Sequence, residues 1–193
     1  MLTKEEFHSL LDKPLLLDGA TGSNLMKAGM PRGCCTEQWI LAHPEALVSL
    51  QRQYVEAGSN ILYAPTFQAQ PIALEKEGLA NHTETINAHL AALTRSVSQD
   101  ILVAGNLTTL ATFTDSWDPE KFDLLVENYQ RQIRGLIDGG VDLLAAETLL
   151  YITAPAPSSS AAVRMASASW GYSKVSAASR STPPSIRPRI CRW

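Results

Sequence analysis

The stretch Glu56-Ala57-Gly58-Ser59-Asn60-Ile61-Leu62-Tyr63-Ala64 decides the fold, because the chain spells it again as Asp138-Gly139-Gly140-Val141-Asp142-Leu143-Leu144-Ala145-Ala146. In both copies glycine ends a helix, as the left-handed residue after a helix does, and a short apolar run opens a strand. Working outward, two further runs of the same kind appear, giving strands over Leu15–Asp18, Asn60–Ala64, Ile101–Asn106 and Asp142–Glu147. Between them Leu47, Leu50, Tyr54 and Ala57 recur at helical spacing. So do Ile86, Leu90, Leu93 and Val97, and again Phe122, Leu125, Tyr129, Ile133 and Leu136. Asp118-Pro119 places an N-cap before a first-turn proline, and Pro44 opens an earlier helix in the same way. Alternating strands and amphipathic helices give an α/β fold with a parallel sheet. Periodicity alone fits both a (βα) barrel and a doubly wound open sheet.

The first strand ends in an acid. Leu15-Leu16-Leu17 is apolar throughout, so it reads as a strand covered on both faces, and it delivers Asp18 to the turn Gly19-Ala20-Thr21-Gly22-Ser23. Ligands of α/β folds sit beyond the carboxyl ends of the strands, and Gly19 and Gly22 allow a sharp turn and a close approach. Aspartate also caps helices, so a capping role stands beside the ligand-binding one. A phosphate cradle in the glycine turn ranks below both, since Asp18 would repel the anion and no G-x-G-x-x-G or P-loop spelling is present.

The 193 residues carry a net charge of −3, and nothing global points to nucleic acid or a membrane. No run approaches the ~20 apolar residues of a membrane span, the N-terminus carries Glu5, Glu6 and Asp12, and a cytoplasmic location is expected. Three cysteines, Cys34, Cys35 and Cys191, are expected to be reduced thiols. His8, His82 and His89 read as solvated, and Glu75-Lys76-Glu77 as a solvated helix end.

The character changes after Tyr151. Residues 152–193 contain no acid but six cations (Arg164, Lys174, Arg180, Arg187, Arg189 and Arg192), so residues 1–151 carry −9. Serine, alanine and proline dominate, without the apolar periodicity that offsets chain entropy, and a disordered tail is expected. A basic nucleic-acid arm is disfavoured because Trp170, Tyr172 and Trp193 are scattered rather than interleaved.

Four segments, in order and spacing, resemble the homocysteine S-methyltransferase family, which includes the homocysteine domain of cobalamin-dependent methionine synthase. They are Leu17-Asp18-Gly19-Ala20-Thr21-Gly22-Ser23-Asn24-Leu25; His43-Pro44-Glu45-Ala46-Leu47 leading through Tyr54–Ile61 to Pro65-Thr66-Phe67; Ala104-Gly105-Asn106; and Gly139–Thr148. The resemblance covers residues 14–151 and implies an incomplete (β/α)8 TIM barrel of about four βα units in residues 1–151, followed by the irregular tail. A whole barrel typically needs roughly 250 residues. By the same resemblance Asp18 and Glu147 hold the amino group of homocysteine, while Gly19, Thr66 and Phe67 shape the rest of the pocket.

The resemblance also implies zinc, held by three cysteine thiolates, which deprotonates the homocysteine thiol and makes it the methyl acceptor. Those cysteines lie in later segments that this chain does not spell, so no metal ligand and no catalytic residue is assigned. Cys34-Cys35, with Cys191 or His43, offers ligand atom types, but adjacent cysteines lack zinc-knuckle spacing and read as loop thiols. The methyl donor of such a family member is a methylcorrinoid, a methylfolate, a sulfonium compound or betaine. Two functions follow: a homocysteine S-methyltransferase in truncated, catalytically incompetent form, its reading frame or sequence diverging near Tyr151, or a non-catalytic amino-acid-binding module. Four strands of an unclosed barrel also imply self-association through exposed edges.

Overall fold

Backbone hydrogen bonding along β1 (Ile61–Ala64), β2 (Leu102–Thr108) and β3 (Leu143–Glu147) builds a parallel sheet in the order β1-β2-β3. The computed structural model describes residues 1–108 and 119–147, with the side chains of residues 119–122 left out. The expected tail over 152–193, and with it the division at Tyr151, lies outside the described residues. Tyr63 sits opposite Ala104, Asn106 opposite Ala145, and Thr108 opposite Glu147. Sequential strands in sequential order, each pair joined through a helix, are what repeated βα units produce.

The expected first strand is present only as a single parallel bridge, Leu17 to Ile61. Its backbone follows β1: Asp18 N–H donates to Ile61 O (3.1 Å), Asn60 N–H donates to Leu16 O (2.8 Å), and the Asn60 side chain accepts from Leu16 N–H (3.0 Å). The expectation that this run is covered on both faces fails at Leu16, which is 55% exposed. The segment lies at the sheet edge, where side chains that a central strand would bury face outward. The other three strands match their expected positions to within two residues at either end.

The helices are α1 (Lys4–Leu10), α2 (Gly22–Lys27), α3 (Thr36–Ala42), α4 (Pro44–Glu56), α5 (Pro71–Leu74), α6 (Thr83–Arg95) and α7 (Pro119–Asp138), with 3-10 turns at Glu75–Glu77 and Ala80–His82. Thr3 and Glu6 form a reciprocal capping box at α1. Pro44 and Pro119 occupy first helical positions, where a missing N–H costs nothing. Gly58 and Gly140 adopt φ +102° and +81°, closing α4 and α7 in the left-handed conformation expected of them.

Strand alternation divides the sheet into two faces. One face, with Leu62, Ala64, Val103 and Leu107, packs on Ala91 of α6 and on Leu125, Tyr129, Ile133 and Leu136 of α7. The opposite face carries Ile61, Ala104 and Leu143, with Leu15, Leu17, Tyr63 and Ala145 against them. Tyr63, Asn106 and Glu147 share the parity of this second face, so the helices cover one side of the sheet and the chemistry-bearing residues occupy the other. A further core joins α2, α3, α4 and α6 through Leu25, Ile40, Leu47, Ile86 and Leu90.

Candidate amino-acid-binding site

Asp18 is placed by the bridge to β1. Its Oδ2 accepts from Tyr63 N–H at 3.0 Å, whereas its Oδ1 is buried and has no hydrogen-bond partner among the described residues. The capping role falls away: the residue at the N-cap of α2 is Thr21, and no side chain caps that helix. Burial pushes the Asp18 carboxyl from 3.8 up to about 7, with the Glu147 charge adding to the rise and the Tyr63 and Asp18 N–H groups opposing it.

Glu147 ends β3 on the same face of the sheet. Its Oε2 accepts from Asn106 Nδ2 at 2.8 Å. Both acids line one cavity of about 880 Å³ together with Gly19, Tyr63, Phe67 and Asn106, and with Cys34, Cys35 and Glu37 from the loop and helix that follow the first turn. Tyr63 stands under the influence of both carboxylates: burial raises its phenol, and the charges of Glu147 and then Asp18 raise it further. An apolar ring and several acids in one concave site suit a small cation with an apolar stem.

The structure therefore brings together four of the five residues expected at the site: Asp18, Gly19, Phe67 and Glu147. Thr66 is corrected. It is fully buried and absent from the cavity lining, because its hydroxyl donates to Asn106 O (3.0 Å) and accepts from Asn106 N–H (3.2 Å), tying the loop after β1 to β2 from below. Gly19 lines the cavity, and neither it nor Gly22 has a positive φ. Glycine at 19 answers to space instead. A Cβ there would lie 2.9 Å from Tyr54 Cε1, and Tyr54 Oη donates to Ala20 O at 2.9 Å, clasping the turn.

Three residues of the lining escaped the sequence reading as functional groups. Tyr63 and Asn106 were read only as strand positions, although strand parity with Glu147 was a usable signal. Glu37 had no signal at all. It is 4% exposed in α3, where it accepts from Gln68 N–H (2.9 Å) and from the Cys35 thiol (3.6 Å), and burial raises its carboxyl. This pins the α2–α3 loop to the β1–α5 loop, the two walls of the cavity.

No group of three or more His, Cys, Asp and Glu side chains able to hold a metal ion occurs among the described residues. Cys34 Sγ donates to Pro31 O, Cys35 Sγ is engaged by Glu37, and burial, followed by the Glu37 charge, raises the Cys35 thiol, which opposes thiolate formation. His43 stacks on Trp39 with ring centroids 4.4 Å apart. These residues do not fit a zinc centre. His8, His82 and His89 are exposed, as expected, and no helix among the described residues is long and apolar enough to cross a membrane.

Fold and site together define a parallel α/β chain with an acid-lined pocket at the carboxyl ends of its strands. The family model for homocysteine S-methyltransferase matches residues 15–159. The chain belongs to that family. It is 32% identical over 140 residues to betaine–homocysteine S-methyltransferase 1 of Danio rerio, a match covering 70% of this chain and 34% of that protein. Among solved structures it is similar to the homocysteine methyltransferase MmuM of Escherichia coli. The metallated form has a TM-score of 0.71 at 22% identity, covering 84% of this chain and 62% of that one. The apo form has a TM-score of 0.60 at 22% identity, covering 84% and 58%. The chain thus spans about a third of the length of the fish enzyme and about three fifths of the bacterial one.

Proposed function

We propose that this chain binds homocysteine through its amino group, with Asp18 and Glu147 as the paired acids and Gly19 and Phe67 shaping the pocket around the amino-acid body. The observation that carries the reading is the unpartnered, buried Asp18 Oδ1 in the same cavity as Glu147. An ammonium brought between two carboxylates forms charge-assisted hydrogen bonds and removes the desolvation that keeps Asp18 protonated. Thr66 then serves the site from beneath, as a positioning residue.

The reading stops at binding. Thiol activation in this family needs a metal, the described residues supply no ligand set for one, and residues 152–193 hold a single further cysteine, Cys191. On its own this 193-residue chain is therefore proposed as a catalytically incompetent form of a homocysteine S-methyltransferase. A non-catalytic amino-acid-binding module differs from it only in whether the activity is carried elsewhere. Self-association through the sheet edges belongs to the same proposal.

Calorimetric titration separates ammonium recognition from nonspecific uptake. L-homocysteine is expected to bind, and 4-sulfanylbutanoate, which lacks only the amino group, to bind at least about tenfold more weakly. Equal affinity for the two compounds would sink the amino-group reading. Homocysteine turning over to methionine with any methyl donor would sink the claim of incompetence.

A further inference from the structure

Two residues of the cavity lining carry a buried side-chain oxygen without a partner among the described residues, Asp18 at Oδ1 and Asn106 at Oδ1. The other such oxygens, on Gln51, Asn87, Thr94 and Gln132, belong to residues outside that lining. Asn106 is 7% exposed, and its other polar atoms each have a partner. Its N–H donates to Thr66 Oγ1, its carbonyl accepts from Thr66 Oγ1 and from Gln132 Nε2, and its Nδ2 donates to Glu147 Oε2. That last bond has the amide nitrogen facing Glu147, which leaves the amide oxygen as the unmatched atom. A buried amide oxygen left open in a residue that lines the cavity calls for a donor.

We infer that Asn106 is the third acceptor of the amino-group subsite and sets its preference for a primary ammonium over N-methylated amines. Asp18 on the segment beside β1, Asn106 on β2 and Glu147 at the end of β3 all line one cavity. A primary ammonium carries three N–H donors, one for each residue. Methylation keeps the positive charge but removes donors one at a time, so a site of two carboxylates alone would tolerate it better than a site with a neutral third acceptor. The amide does two things at once: it holds Glu147 in place through Nδ2 and reads the ligand through Oδ1. This inference rests on the amino-group reading above.

The test is calorimetric titration with L-homocysteine, its N,N-dimethyl derivative and 4-sulfanylbutanoate. The wild-type chain is expected to prefer homocysteine over the dimethyl derivative by about tenfold or more, as sites built to hydrogen-bond a group reject analogues without it. Asn106→Leu, checked for folding by its melting curve, is expected to lose most of that preference. Asn106→Ser, too short to reach the ligand, is expected to act alike. Equal wild-type affinity for homocysteine and the dimethyl derivative overturns the inference without any variant, and so does a folded Asn106→Leu that keeps the preference. A wild type that binds no homocysteine overturns the underlying amino-group reading instead.

Discussion

Asp18 carries the sharpest residue-scale consequence, because its proton is retained in the folded chain at pH values where the unfolded chain has lost it. Between pH 3.8 and about 7 the folded state binds more protons, so stability falls as pH rises through that window and levels off above it. Asp18→Asn removes the penalty while its side-chain oxygen still accepts from Tyr63 N–H. The variant is expected to be more stable than wild type by on the order of 1–3 kcal/mol at pH 8, discounted for the partial exposure of Asp18, with the gain shrinking toward zero near pH 4. Chemical denaturation at several pH values measures this, and a pH-independent difference would show that the carboxyl is not held protonated. The same variant is expected to lose homocysteine affinity, separating stability from binding as strained functional sites do. Asp18 was legible in the sequence as an acid ending an apolar run, and Glu147 through the family resemblance. Glu37 was not, since nothing in a helical sequence reports that a carboxylate will be buried against a loop 31 residues further along the chain.

At the scale of elements, α4, α6, α7 and three strands followed from periodicity and from glycine and proline punctuation, while the shorter helices α1, α2, α3 and α5, the edge segment at Leu15–Asp18 and the glycine contacts did not. Apolar content predicts a strand, but whether neighbours pair with both edges is a tertiary fact. The double glycine after α7 shows the same limit. Gly140 is required for its positive φ, with open space where a Cβ would stand, whereas at Gly139 a Cβ would lie 2.6 Å from both Ala88 O and Ala91 Cβ of α6. One glycine is conformational and the other is a helix–helix contact. Gly140→Asn is accordingly expected to be nearly neutral, since asparagine tolerates the left-handed region, whereas Gly139→Asn forces α7 off α6 and is expected to cost about 1–3 kcal/mol or more. Thermal melts of the two variants decide it: equal losses would mean that α6 and α7 are not packed at that approach.

For the whole molecule, the sheet ends at β3, which pairs on one side with β2 and on the other with no strand among the described residues. Leu16 at the opposite margin is exposed. Open edges and uncovered apolar side chains are templates for pairing with another chain. Sedimentation velocity of the purified chain at micromolar concentration is expected to show dimers or larger species, and a compact monomer would contradict this. Fold class was legible because the βα repeat is written locally. Barrel against open sheet was not, because closure depends on strands far apart in sequence, and the family match and structural likeness supplied what periodicity lacked.

The central claim is that one cavity grips an amino group between Asp18 and Glu147. Its most direct test is a crystal structure of the chain with L-homocysteine. The account predicts the ligand nitrogen within hydrogen-bond distance, roughly 2.7–3.2 Å, of Asp18 Oδ1 and of the Glu147 carboxylate. A ligand whose nitrogen points to solvent, or which leaves Asp18 Oδ1 without a partner, would contradict it.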